Sequence, residues 1–126
     1  MSIPNNLKYT KEHEWVLVEG NIGTIGVTDY AQGELGDVVF VDIDPALSDV
    51  KKGASIGTIE AVKTVSDIYA PFSGKVVEIN EALKDSPEVV NSDPYGNGWM
   101  LKVEISDPSE LSDLLDASAY QALIGQ

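Results

Sequence analysis

Cysteine and arginine are both absent from this chain of 126 residues, and histidine occurs once. Without thiols the chain cannot form disulfides, thiolate metal sites or a cysteine nucleophile. The lone histidine, His13, is too few for the usual zinc site, and no serine has the sequence context of a hydrolase nucleophile. We therefore expect neither a metal nor a catalytic set, and any sulfur redox chemistry must come from a bound group.

The absence of arginine also bears on possible partners. All 8 basic residues are lysines, against 21 acidic residues, which leaves a net charge of −13. Lysine lacks the planar fork with which arginine grips phosphate, and the acidic surface repels nucleic acid. Nucleic acid is therefore excluded as a partner. The charge serves either solubility alone or steering toward basic partner surfaces.

Long apolar runs are missing as well. No stretch reaches the roughly 18 apolar residues that a membrane-spanning helix needs, so we expect no membrane partner. The first ten residues, MSIPNNLKYT, have no basic segment followed by an apolar run, as a signal peptide would. The cytoplasm is the expected location, and a mature organellar chain is the alternative.

Short stretches rich in β-branched residues, separated by turn residues, predict a mainly β fold. The clearest is 99–105, where Trp99, Leu101, Val103 and Ile105 alternate with residues of the other face. We expect strands at 15–18, 21–27, 37–43, 56–62, 65–69, 75–80 and 99–105, a short helix capped by Thr28 and ended by Gly33 and Gly36, a turn at 81–84 capped by Asn80, and helices from 107 and 118.

Lys63 lies at the tip of the predicted hairpin between 56–62 and 65–69, in a two-residue step with Thr64. At such a tip its amine is either simply solvated or offered to a modifying enzyme. Glu60 and Asp67 place negative charge on both sides of it. The pattern G-x-V-V-x-(V/I)-(D/N) occurs at 36–42 and again at 74–80, before and after the hairpin. This repeat fits a sandwich of two related halves around the hairpin.

Several long motifs, in order along the chain, resemble those of the glycine cleavage H-protein family. Members of this family are lipoyl carriers of the biotinyl/lipoyl-domain superfamily. They are KYTKEHEWV (8–16), VTDYAQGELGDVVFVD (27–42), IEAVKTVSDIYAPFSGKVVEINEAL (59–83), VNSDPYGNGWMLKV (90–103) and DPSELSDLLDASAYQAL (107–123). The resemblance implies a lipoyl/biotinyl-type barrel-sandwich hybrid of two antiparallel sheets, with short helices and a helical C-terminus. It implies one carrier domain over 1–126, with an N-terminal hairpin near 14–28, a lipoyl core near 36–105 and C-terminal helices near 107–124.

By the same resemblance, Lys63 carries lipoate in amide linkage, and the chain is a carrier rather than an enzyme. A pyridoxal-phosphate glycine decarboxylase (P protein) would load an aminomethyl group on the arm. A tetrahydrofolate-dependent aminomethyltransferase (T protein) would unload it, and dihydrolipoamide dehydrogenase (L protein) would reoxidise the dithiol. Lipoyl-attaching enzymes are further partners. In the family the loaded arm folds into a surface cleft, for which Glu14 is the first candidate residue and Glu12 and Asp67 are further ones.

The residues beside Lys63 bear on related carriers. Biotin carriers place methionine on both sides of the modified lysine, whereas the neighbours here are Val62 and Thr64. Lipoyl domains of 2-oxo acid dehydrogenases show an Asp-Lys-Ala tip, and Thr64 also departs from the alanine common in H proteins. A stand-alone lipoyl or biotin carrier for another complex, and an unmodified acidic binding module, are the alternatives.

Overall fold

Alternating apolar residues and frequent turns divide the chain into short strands in the computed structural model, which describes residues 2–125. No helix in this range is long and apolar enough to cross a membrane. The strands are β1 Lys8–Tyr9, β2 Glu14–Glu19, β3 Ile22–Val27, β4 Val38–Asp42, β5 Asp49–Val50, β6 Ser55–Ala61, β7 Val65–Tyr69, β8 Gly74–Ile79 and β9 Leu101–Ile105. The helices are α1 Asp29–Leu35, α2 Ala82–Asp85, α3 Val89–Ser92, a 3₁₀ helix at Pro108–Asp113 and α4 Ala117–Ile124.

The strands form two antiparallel sheets. The larger has the order β1-β2-β3-β9-β8-β5, and the smaller has the order β4-β6-β7. The two copies of the repeated pattern lie in different sheets, since β4 belongs to the smaller sheet and β8 to the larger. The expectation of a mainly β fold with two antiparallel sheets, short helices and a helical C-terminus is confirmed.

The main hydrophobic core contains residues of both sheets. Ile59 and Ile68 of the small sheet are almost fully buried, as are Ile25 and Leu101 of the large one and Phe72 between β7 and β8. Complete burial of an aliphatic or aromatic side chain contributes roughly 1.5–3 kcal/mol to stability. The small sheet, which carries the Lys63 hairpin, is therefore held in place by this shared core.

A second cluster joins the two ends of the chain. Tyr120 of α4 is fully buried and stacks on Tyr9 of β1, with 4.6 Å between ring centroids. Tyr9 also exchanges two backbone hydrogen bonds of 2.8 Å with Leu115. Trp15 belongs to this cluster, and its indole N–H donates to the carbonyl of Pro94. The C-terminal helix is thus packed against β1 and the start of β2.

The predicted helix cap is confirmed, and so is most of the strand predicted at 99–105. That strand begins only at Leu101, and Met100, predicted for the face opposite Trp99, is fully buried. Leu101, Val103 and Ile105 of β9 are buried on one face, as the alternation requires. Thr28 caps α1 by accepting a hydrogen bond from the backbone N–H of Ala31.

Other local predictions are wrong. Gly33 lies inside α1, and only Gly36 ends the helix, because its φ of 80°, which glycine adopts without strain, turns the chain out of the helix. Asn80 does not cap α2, since its side chain donates instead to the carbonyls of Asn97 and Trp99. The last helix begins at Ala117, with Asp116 as its cap.

Two further differences arise from contacts distant in sequence. The first C-terminal helix is a 3₁₀ helix, and Glu110 accepts hydrogen bonds from the backbone and hydroxyl of Ser73 instead of closing a capping box. Helix α3, which carries the buried Val90, was not predicted because four residues give too short a pattern.

Candidate functional site

The loop between β6 and β7 consists of Val62, Lys63 and Thr64, one residue more than the predicted step. The backbone N–H of Ala61 donates to the carbonyl of Thr64 at 2.8 Å, which closes the hairpin. The N–H of Val62 donates to the carbonyl of Asp37 at 3.0 Å, which ties the loop to the start of β4. Lys63 is thus an exposed side chain on a backbone fixed from two sides.

The side chain of Lys63 lies beside the C-terminal end of α1. A β-carbon placed on Gly36 would stand 3.7 Å from Cε and 3.8 Å from Cδ of Lys63. Within residues 2–125 the ammonium makes no hydrogen bond or ion pair with another side chain. The amine is therefore free for acylation, and its stem already follows the end of α1.

Four exposed apolar side chains surround the hairpin tip. Val62 and Val65 flank Lys63 with 72% and 62% of their surfaces exposed, and Val39 and Phe40 follow on the neighbouring strand. Phe40 and Val65 are both paired with Glu60 of β6, so they lie in one row across the small sheet. The hairpin tip is thus an apolar surface that includes the carboxylate of Glu60.

A cavity of about 320 Å³ lies between α1, the start of β2 and strand β7. It contains all three residues for which the resemblance implied a cleft, namely Glu12, Glu14 and Asp67. Glu34 adds a fourth carboxyl group, and no lysine lines the cavity. The complete lining consists of Glu12, His13, Glu14, Val27, Tyr30, Ala31, Glu34, Leu35, Ile59, Ser66 and Asp67.

Glu14 is the buried member of this acidic set, with 2% of its surface exposed. Its carboxylate accepts hydrogen bonds from the hydroxyl of Thr10 at 2.6 Å and the backbone N–H of Tyr69 at 3.2 Å. Burial raises the pKa of Glu14 to about 7, against the lowering effect of the two hydrogen bonds, and the charge of Glu12 adds to the rise. The pKa of this carboxyl group thus lies near neutral pH.

A tight turn before β2 presents these side chains. The N–H of Thr10 donates to the carbonyl of Glu14 at 2.9 Å, and the N–H of Glu14 donates to the Thr10 hydroxyl at 3.0 Å. His13 completes the turn with a left-handed backbone, φ 70°. The turn directs Glu14 inward and leaves Glu12 exposed at the rim.

The sequence reasoning missed Tyr30, Glu34 and Leu35 of α1. Tyr30 and Glu34 are four residues apart, so a helix beginning at Asp29 places them on one face. That spacing was visible in the sequence, but it does not show which face of the helix is turned toward the Lys63 hairpin. Gly36 follows Leu35 directly, so the helix end that contacts Lys63 also lines the cavity.

A larger cavity of about 450 Å³ lies on the other side of Glu14. Glu12 and Glu14 line both cavities, and Lys11, Lys52 and Asp113 belong only to the larger one. Lys52 is paired with Asp113. No residue of α1 or of the Lys63 loop lines this cavity, so the smaller one is the better candidate despite its size.

The residues present fit a flexible arm attached to Lys63. The amine is free, the neighbouring cavity is lined by apolar and acidic groups, and the acidic groups suit a cationic end. Residues 2–125 contain no group of three or more His, Asp or Glu side chains placed to hold a metal ion.

Comparison with known proteins supports one family. The family model described as "Glycine cleavage H-protein" matches residues 7–126. A glycine cleavage system H protein of Staphylococcus haemolyticus (strain JCSC1435) is 59% identical, and the match covers 100% of both chains. The crystal structure of a glycine cleavage system H protein from Mycobacterium marinum matches with a TM-score of 0.90 and 38% identity, over 98% of this chain and 100% of that one.

Proposed function

Because the chain belongs to the glycine cleavage H-protein family, we propose that Lys63 carries lipoate in amide linkage and that the protein serves that system as a carrier rather than an enzyme. The observation that carries this proposal is the free, exposed amine of Lys63 on a hairpin fixed by Ala61, Thr64 and Asp37. A rigid base allows the arm to swing while its point of attachment stays in place.

The lipoyl group would supply the dithiol chemistry that a chain without cysteine lacks. The protein would carry the aminomethyl group of glycine from the P protein to the T protein, with reoxidation by the L protein. The apolar side chains at the tip suit docking at the entrances of these enzymes. In this scheme residues 1–126 act as one carrier domain in the cytoplasm, and lipoyl-attaching enzymes recognise the same hairpin.

Within the chain, we assign the cavity beside α1 to shelter of the loaded arm. The amine that it carries is cationic, and Glu12, Glu14 and Asp67 offer carboxyl groups where the arm would enter. A cation near Glu14 lowers its pKa and favours the carboxylate, so the cargo and the buried acid stabilise each other's charged forms. Exclusion of water around the cargo protects it from hydrolysis.

The proposal is tested by the substitution Lys63→Arg, with Lys75→Arg on strand β8 as the matched control. Arginine keeps the positive charge but offers no amine for the amide, so the variant should lose lipoylation and all support of glycine cleavage. Its urea unfolding should match that of the unmodified wild type, because the side chain is exposed. Retained glycine cleavage by Lys63→Arg would defeat the assignment.

Intact mass separates the alternatives. Protein from a host supplied with lipoate should gain one lipoyl group in the wild type and in Lys75→Arg, and none in Lys63→Arg. A biotin-sized increment would instead identify a biotin carrier. An unmodified mass from a host that lipoylates other proteins would favour an acidic binding module.

A further inference from the structure

His13 is the one residue other than glycine that has a positive φ within residues 2–125. The left-handed region is unfavourable for a side chain with a β-carbon, and the four other positive-φ positions of this range are glycines. Glycine at position 13 would remove this cost, although histidine adopts this region more readily than most residues with a β-carbon. Strain of this kind is commonly kept where the side chain has a task.

The imidazole is held from inside the protein. Its Nδ1 lies 2.8 Å from the hydroxyl of Tyr120, which is fully buried on α4. The same hydroxyl lies 2.8 Å from the hydroxyl of Thr28, and Thr28 accepts from the N–H of Ala31. The ring of Tyr30 packs against the imidazole, with 4.8 Å between centroids. Two helices thus fix the ring.

This chain of hydrogen bonds can run in either direction. In one, Thr28 donates to Tyr120, Tyr120 donates to Nδ1, and Nε2 carries the proton. In the other, Nδ1–H donates to Tyr120, Tyr120 donates to Thr28, and Nε2 has a free lone pair. Both arrangements keep the same hydrogen-bonded neighbours, and in the second the Thr28 O–H has no acceptor among residues 2–125. The outer nitrogen can therefore serve as donor or acceptor without loss of an internal hydrogen bond.

The second ring nitrogen, Nε2, points away from Tyr120, because Nδ1 is the nitrogen that faces that buried hydroxyl. His13 lines the acidic cavity between Glu12 and Glu14, and no side chain of residues 2–125 forms a hydrogen bond with Nε2. His13 thus offers, at a residue that lines the cavity, an ordered nitrogen without a hydrogen-bonding partner among residues 2–125.

We propose that His13 Nε2 is a hydrogen-bonding group for the cationic amine that enters this cavity, and that Tyr120 is the residue that positions it. This inference rests on the proposed carrier function and adds a contact and a role for the C-terminal helix. The amine donates to Nε2 while Nδ1–H donates inward to Tyr120. Glu14 supplies the negative charge that attracts the amine, and His13 supplies a directional hydrogen-bond acceptor for it.

The first test uses the unlipoylated protein and methylammonium, the smallest mimic of the cargo, at constant ionic strength. His13 is the sole histidine, so its ¹⁵N resonances are assigned without ambiguity in a tag-free chain. Methylammonium should shift Nε2 saturably, whereas tetramethylammonium, which has no N–H, should not. In Tyr120→Phe the ring stack on Tyr9 stays but the hydroxyl is lost, and affinity should fall at least threefold.

The second test measures loss of the cargo from the lipoylated, loaded protein. Tyr120→Phe and His13→Asn should release ammonia and formaldehyde at least threefold faster than the wild type, since asparagine tolerates the left-handed backbone but lacks the ring. Tyr95→Phe is the matched control, because it also loses a hydrogen-bonded tyrosine hydroxyl but lines neither of the two cavities beside Glu14.

The outcomes separate the two proposals. A wild type that is never lipoylated overturns the carrier function and this inference together. A wild type that is lipoylated and keeps its cargo, with Tyr120→Phe and His13→Asn unchanged in both tests, overturns the inference alone. Equal shifts of Nε2 with both ammonium ions would show a salt effect and would also overturn it.

Discussion

Glu14 is an acidic side chain placed where ionisation is costly. Of the acidic residues within 2–125, Glu14 is the one that is buried, and it forms no ion pair with a lysine there. Its pKa is raised to about 7 from an ordinary value of 4.5 because burial removes water from the carboxylate. Such a group is ready to accept a cation at neutral pH, and the proposed cargo provides one.

The raised pKa predicts a pH dependence of stability. Between pH 4.5 and about 7 the folded protein holds a proton on Glu14 that the unfolded chain has released. Stability from this group is complete below the unfolded pKa and falls as pH rises through the folded pKa. The full change is on the order of 3 kcal/mol. Urea unfolding of the unmodified protein at about pH 5 and pH 8 should show this loss in the wild type and not in Glu14→Gln.

Glu19→Gln is the matched control, because Glu19 lies on the same strand but is exposed. It should keep the pH dependence of the wild type. If Glu14→Gln loses as much stability as the wild type between the two pH values, the buried carboxyl does not carry the effect. In the loaded protein, Glu14→Gln should also release its cargo faster, since the amide has no charge to offer.

Among the elements, the junction between α1 and β4 sets the place of the Lys63 hairpin. Asn91 of α3 donates to the side chain of Gln32 at 3.0 Å and to the carbonyl of Gly36 at 2.9 Å, and accepts from the N–H of Val38 at 2.9 Å. One side chain thus joins the end of the helix to the start of the strand. The intervening Asp37 in turn holds the Lys63 loop.

Asn91→Ala should therefore destabilise the protein more than an ordinary surface substitution. It leaves the N–H of Val38, a buried residue, without its partner, which costs about 1–3 kcal/mol. The free energy of unfolding in urea measures this loss. Asn97→Ala is the matched control, since Asn97 is exposed and its side chain makes no hydrogen bond in the described structure. Equal losses in both variants would contradict the bridging role of Asn91.

For the whole molecule, the net charge of −13 is the dominant long-range property. A carrier must leave one enzyme and reach the next, so fast association matters more than tight binding. Charge opposite to that of a partner raises the association rate, and salt screens that effect within a Debye length of about 10 Å at 0.1 M. The acidic surface would therefore speed encounters with a partner whose docking face is basic.

Association of the lipoylated protein with the glycine decarboxylase should accordingly slow as salt increases. We expect the association rate constant to fall about tenfold between roughly 20 and 200 mM NaCl, with a much smaller change in the dissociation rate constant. Stopped-flow measurement with a labelled protein gives both constants. A rate that does not change with salt would leave solubility as the function of the charge.

Much of the fold was visible in the sequence because strands and caps depend on near neighbours. The alternation of Leu101, Val103 and Ile105 gave β9, Thr28 gave the start of α1, and the apolar arms around Lys63 gave the hairpin. Two of the predictions that were wrong involve Asn80 and Glu110, whose side chains bond to residues 17 to 37 positions away. Local patterns cannot anticipate such partners.

The sequence by itself determined the chemistry that is possible: no thiol, no arginine, one histidine, and a lysine offered at a turn. Only the tertiary structure decided which groups meet. Glu14 is buried because β7, 55 residues away, covers it and donates from Tyr69, and His13 is ordered because Tyr120, 107 residues away, holds its ring. Burial and orientation depend on residues that are distant along the chain, and both set what a carboxyl or an imidazole can do.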